Sequence, residues 1–178
     1  MFLVAAALLP ACGGGDDDAP STGAQGPAST AVTVRPSTTS TQPPIAGVET
    51  FAVDAGHSEG PVSYPQVPPV GGIHNPIWQP CGFYDQPVPN EKAVHSLEHG
   101  AIWITYGPDL PAAQIESLAT LARGRNLVLV SRWDNGLPAP VVVTGWGRQL
   151  RLESVSDPRL QEFVRLYANQ GPEINAPC

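Results

Sequence analysis

Ala101-Ile102-Trp103-Ile104-Thr105-Tyr106 is a run without a charge in which every residue after the alanine is β-branched or aromatic, and its reading decides the fold. Its composition is that of a buried strand. The segment behind it, 109–125, has helical spacing. Asp109 stands near its start, Pro111 fits a first turn, Ile115, Leu118, Leu121 and Ala122 form one stripe, and Gly124 marks the end. Residues 126–132 read as a second strand. A helix between two such strands favours a right-handed crossover and a parallel pair.

Downstream, Asp134-Asn135-Gly136 is a turn, and Pro138 and Pro140 lead into Val141-Val142-Val143-Thr144. Gly145-Trp146-Gly147 is a turn or a bulge before 149–153, which makes these two pieces a hairpin. Asp157-Pro158 opens a last helix whose Leu160, Phe163, Val164 and Tyr167 face inward. The order β-α-β-β-β-α predicts an α/β (α+β) domain, a small mixed sheet with helices packed on it. That order resembles the central part of a thioredoxin-like fold, down to a proline loop before the hairpin. No Cys-x-x-Cys opens the 109–125 helix, so dithiol exchange is not supported.

Upstream, Asn90-Glu91-Lys92-Ala93-Val94-His95-Ser96-Leu97-Glu98-His99 has a capping residue, an early acid and a stop at Gly100, the marks of a short helix. Residues 51–90 are dense in Pro and Gly, which rules out a long helix there. They predict a rigid, irregular cover with one short strand around Val62-Ser63-Tyr64, carrying Trp78, Phe83 and Tyr84 onto the domain.

The N-terminus reads as an address. The apolar run from Phe2 to Leu9 is too short to span a bilayer core, which takes roughly 20 residues. It suits the hydrophobic part of a bacterial export signal over 1–11. Leu9-Pro10-Ala11-Cys12 resembles a lipobox, in which cleavage before Cys12 leaves a lipid-bearing N-terminal cysteine. No basic residue precedes the apolar run, so Met1 is not the expected start of such a signal. The 33 residues from Cys12 to Pro44 hold ten Ser or Thr, five Pro and five Gly, too little apolar surface to offset the entropy of folding. Residues 12–48 are therefore expected to be a disordered tether, and 49–178 a single folded domain. The expected location is the bacterial cell envelope, lipid-anchored on the extracytoplasmic side, with the membrane as partner through Cys12.

The chain of 178 residues carries 9 Lys and Arg against 16 Asp and Glu, a formal charge of -7. It offers no basic surface for phosphates, so nucleic acid is excluded as a partner. With Cys12 assigned to lipid, Cys81 and Cys178 remain. Outside the cytoplasm such a pair suits a disulfide that pins the C-terminal tail across the domain. The rival role for Cys81 is a thiolate metal ligand beside the histidines.

All four histidines, His57, His74, His95 and His99, fall within 43 residues of the domain's first half. On a helix, His95 and His99 stand at i and i+4 on one face, the arrangement metal sites use. His74 and His57 can complete the set from the proline-rich cover. In an exported domain, such a cluster suits zinc or copper. The residue after His95 is Ser96 rather than the Glu of a zincin, so that hydrolytic chemistry fails. Glu98 is open to three roles: a ligand, a hydrogen-bond partner for an imidazole, or a helix salt bridge. His99 before Gly100 fits a helix C-cap as well as a ligand. Ser96, His95 and Glu98 cannot form a hydrolase triad as neighbours on one helix, and no Gly-x-Ser-x-Gly elbow is present.

Gly72-Ile73-His74-Asn75-Pro76-x-Trp78, Cys81-Gly82-x-Tyr84, Pro87-Val88, Glu91 and Ala93-Val94-His95-Ser96-Leu97-Glu98-His99-Gly100 make one long pattern, closed by Trp146-Gly147 and Ala176-Pro177-Cys178. It resembles the bacterial domain-of-unknown-function family 3105, from about residue 50 to the C-terminus. The resemblance implies an exported or membrane-attached bacterial protein and places the motif on His74, Trp78, Glu91, His95, Glu98 and His99. It implies no reaction. Gly71-Gly72 stands where the family often has Ser-Gly before the histidine, which costs a hydroxyl and no ligand. Three functions are carried forward: a non-catalytic metal-binding lipoprotein, a structural or partner-binding lipoprotein without metal, and a metal-dependent envelope enzyme.

Overall fold

β-branched and aromatic segments form the centre of the molecule. The computed structural model describes residues 45–134 and 136–178; the expected export signal over 1–11, Cys12 and the expected tether up to residue 44 lie outside the described residues. Among the described residues the elements are β1 (Glu49–Thr50), β2 (Gly56–His57), β3 (Ile73–His74), β4 (Gly82–Tyr84), α1 (Asn90–Glu98), β5 (Ile102–Tyr106), α2 (Ala112–Arg123), β6 (Val128–Arg132), β7 (Val141–Gly145), β8 (Arg148–Leu152) and α3 (Pro158–Tyr167). They make a mixed α/β fold. None of the helices is long and apolar enough to cross a membrane.

Six strands form one sheet in the order β1-β8-β7-β5-β6-β4. β5 and β6 are parallel, with Ile102 opposite Val128 and Tyr106 opposite Arg132, and β4 extends the parallel part from the far side of β6. α2 is the crossover between β5 and β6, as the spacing predicts. The remainder of the sheet is antiparallel: β7 pairs β5, and β7 and β8 form the hairpin turned at Trp146-Gly147. β2 and β3 stand apart as a two-stranded parallel sheet in which His57 pairs with His74.

The central sheet is covered on both faces, which is why β5 is buried throughout rather than alternating. Ile102, Ile104 and Tyr106 point into a large core with Val128, Val130, Leu118, Ala122, Leu160 and Phe163, under α2 and α3. Trp103 and Leu129 point the other way, against Ala93 and Leu97 of α1 and against Cys81, Tyr84 and Val88 of the proline-rich segment. The Trp103 indole N–H satisfies its buried polar atom by donating to Ser131 Oγ at 3.0 Å. Ile45 also belongs to the first core, ahead of the expected domain start at residue 49.

Local expectations differ from the structure in three places. The expected strand at 62–64 is absent; short strands form instead at Gly56–His57, Ile73–His74 and Gly82–Tyr84. The prolines restrict each piece to two or three ladder residues. Asn90 is the first helical residue of α1 and Pro89 occupies the cap position, with no side-chain cap bond. α2 begins at Ala112 behind Pro111, so Asp109 lies in the preceding turn. By contrast, Asp157 caps α3 as its sequence suggests, accepting from the Arg159 amide at 2.9 Å.

Candidate metal centre

Three histidines and one carboxylate converge where the C-terminal half of α1 meets β2 and β3. α1 has one face against the sheet through Ala93 and Leu97, which leaves His95, Glu98 and the cap residue His99 facing the proline-rich cover. His57 and His74 arrive as neighbours across the β2–β3 pair. The donor atoms of His57, His74, His95 and Glu98 all lie within 4.8 Å of one another. His74, His95 and Glu98 are buried, whereas the His57 side chain is 48% exposed and gives the cluster its opening to solvent.

The hydrogen bonds decide which nitrogen each imidazole can offer. His74 Nδ1 lies 2.7 Å from the Gly72 carbonyl, His95 Nδ1 lies 2.7 Å from the Asn75 carbonyl and His99 Nδ1 lies 2.6 Å from the Pro177 carbonyl. A carbonyl oxygen only accepts, so each Nδ1 carries the proton and donates it. Nε2 is then the ring nitrogen with a lone pair to give. This backbone anchoring of the far nitrogen is the usual support of a metal-binding imidazole. It fixes both tautomer and ring direction.

His74 Nε2 lies 2.9 Å from Glu98 Oε2, and His57 Nε2 lies 3.7 Å from the same oxygen. With its Nδ1 proton committed to Gly72, His74 sets a lone pair against a carboxylate oxygen. A positive particle between them, a proton or a metal ion, would satisfy the contact. Tetrahedral zinc holds nitrogen ligands at about 2.0–2.1 Å, so its donors stand roughly 3.3 Å apart. The His74 and His57 distances to Glu98 Oε2 bracket that value, and all four donors stand within 4.8 Å of one another. Three imidazole nitrogens and a carboxylate oxygen form a donor set for zinc or copper(II).

Burial is the main cause that lowers the His95 pKa from its ordinary value; the Asn75 carbonyl and Glu98 oppose it, and His99 and His74 add to it. The shift favours the neutral ring, the form that coordinates. Tyr64 holds the approach to His74 by donating to the Ile73 carbonyl at 2.8 Å. Burial, then the Glu91 carboxylate, push its phenol up to about 12, so it remains a donor. The Asn75 and Gln79 amides donate to the Glu91 and Lys92 carbonyls at 3.2 and 3.0 Å, fastening the His74 loop to the start of α1. Trp146 closes one side edge-on to His74 at 6.0 Å, and Trp78 packs against both His95 and His99.

Other candidates fall to structural duties. Glu91 accepts from the Val62 amide at 3.1 Å. Ser96 donates from Oγ to the Gln79 carbonyl at 2.6 Å and accepts from the Gln79 amide at 3.0 Å, so it holds the cover rather than acting as a nucleophile. Cys81 is joined to Cys178 in a disulfide, with the Cα atoms 5.0 Å apart, so its sulfur is not a thiolate ligand. Cys12 lies outside the described residues.

His99 does not join the three-histidine set. It groups with His95 and Glu173, whose donor atoms also lie within 4.8 Å of one another. The sequence reading overlooked Glu173. The available signal was indirect: it is the one acid in a tail that a Cys81–Cys178 bond would carry back across the domain.

A family model described as a protein of unknown function, DUF3105, matches residues 57–178, a span that begins at the first clustered histidine and ends at the disulfide cysteine. No curated protein and no solved structure gives a match.

Proposed function

This chain belongs to the DUF3105 family, and we propose that it is an exported, lipid-anchored envelope protein that binds one transition-metal ion, zinc or copper(II), through His57, His74, His95 and Glu98. The observation that carries this reading is the pairing of His74 Nε2 with Glu98 Oε2 at 2.9 Å while His74 Nδ1 is committed to a backbone carbonyl. When bound, the ion supplies a Lewis-acidic centre next to a solvent opening at His57. Anchoring rests on the lipobox-like Leu9-Pro10-Ala11-Cys12 and the polar tether behind it. Lipid on Cys12 holds the domain at the extracytoplasmic face of the membrane. The thioredoxin-like reading of the fold is supported by the strand order β8-β7-β5-β6 with one parallel and two antiparallel pairs.

A second reading, a partner-binding lipoprotein, is favoured by one feature. Ile73, Ile77 and Trp78, which are 44%, 59% and 37% exposed, put apolar surface next to the histidines. Both readings are tested on the full chain purified from an oxidising compartment, by elemental mass spectrometry beside a His74→Ala/His95→Ala variant. Near-stoichiometric zinc or copper that is lost in the folded variant supports the metal centre. Absence of metal after reloading with each ion at neutral pH overturns it and leaves the partner-binding reading.

A further inference from the structure

We propose that His95, His99 and Glu173 form a second position for the same ion, and that His95, common to both groups, hands the ion between them; the inference rests on the metal-binding reading above. His99 Nε2 faces Glu173 Oε2 at 3.5 Å, with its Nδ1 proton already given to Pro177. The His95 and His99 rings are edge-on, 4.5 Å between centroids. Both histidines are buried, while the Glu173 side chain is 56% exposed. The second position is therefore a three-donor site that opens at the surface beside Glu173, where the first has four donors. Three protein donors leave a coordination place for water or for a ligand of a delivering partner.

The tail carrying Glu173 is held at several points. The Glu173 amide donates to the Glu98 carbonyl at 3.0 Å, the Asn169 amide donates to the Gly100 carbonyl at 2.8 Å, and the disulfide fixes the end. A Cβ on Gly171 would run into the Glu98 carbonyl, so the tail is seated as closely as glycine allows. Glu98 thus serves one position with its carboxylate and supports the other with its backbone.

Because the Asn75 carbonyl engages His95 Nδ1, His95 has one lone pair and serves one ion at a time. The two positions are mutually exclusive at full ligation. The transfer is a ligand exchange without redox change. His95 keeps its bond, His99 and Glu173 release theirs, His57, His74 and Glu98 form new ones, and the proton between His74 and Glu98 leaves to water. The cargo is a divalent transition-metal ion accepted at Glu173 and retained at the deeper set.

The test titrates Co2+, whose ligand-field bands report its donors, into the full chain and into folded variants, with loading followed by stopped flow. We expect the wild type to bind one equivalent. Glu98→Gln should retain weaker binding with an altered spectrum, and adding Glu173→Gln should abolish it. Glu173→Gln alone, at an exposed residue that does not endanger folding, should keep the wild-type spectrum and load about tenfold more slowly, the size of effect a supporting metal-site residue carries. Loading unaffected by Glu173→Gln, or residual Glu98→Gln binding indifferent to Glu173, would overturn the second position while the first stands. Binding untouched by Glu98→Gln, or no binding by the wild type, would overturn the metal reading and the transfer with it.

Discussion

At the residue scale, the most informative contact is the one between His74 and Glu98, because a proton or a metal ion in between would satisfy it. An amide in place of the carboxylate resolves the conflict differently. Glu98→Gln keeps the shape, and its NH2 can donate to His74 Nε2, so the metal-free variant should unfold near the wild-type midpoint. Its metal response should shrink to the smaller gain that the His95–His99–Glu173 position can give. Saturating metal at about 100 times Kd adds roughly 2.7 kcal/mol to the wild type. Thermal unfolding with and without zinc reads both values. A variant that gains as much stability from zinc as the wild type would show that the carboxylate is no ligand.

At the scale of elements, α1 couples the sheet to the site. Its apolar residues lock onto Trp103 and Leu129, which fixes the direction in which His95 and Glu98 project. Ser96, between them in sequence, grips both backbone groups of Gln79 and so positions the loop that carries Trp78 and Asn75. Ser96→Ala takes the side-chain partner from the part-buried Gln79 carbonyl, while the Gln79 amide keeps the Lys92 carbonyl, and should cost about 1 kcal/mol in denaturant unfolding. If Ser96 were a nucleophile instead, the substitution would leave stability unchanged. The strand-and-helix pattern from 101 to 167 was legible because each element has a dominant period or a clean stop signal. The short strands β2, β3 and β4 were not, since two or three residues carry no periodicity and exist only through their partners.

At the scale of the whole molecule, the disulfide joins residues 97 apart and draws the C-terminal tail onto α1. Chain entropy sets its contribution near 4–5 kcal/mol for a loop of that size. The Cys81→Ser/Cys178→Ser pair should lose about that much stability in denaturant unfolding. It should also free Glu173 and the Pro177 carbonyl from His99, so cobalt loading slows as in Glu173→Gln while the final spectrum persists. A variant with unchanged loading would separate the tail from metal handling.

The sequence by itself determined the order of the main elements, the absence of a redox dithiol and the four histidines as the chemical candidates, because period, spacing and residue type are local properties. It could not say which histidines share a centre. Helical spacing puts His95 and His99 on one face, yet the i and i+4 relation says nothing about where loops come from. The tertiary structure decided that His57 and His74 arrive over one side of His95, that Glu98 completes that set, and that a tail residue more than seventy positions away meets His99. Those pairings come from the parallel register of β2 with β3 and from the disulfide, both of which join distant segments that no local signal relates.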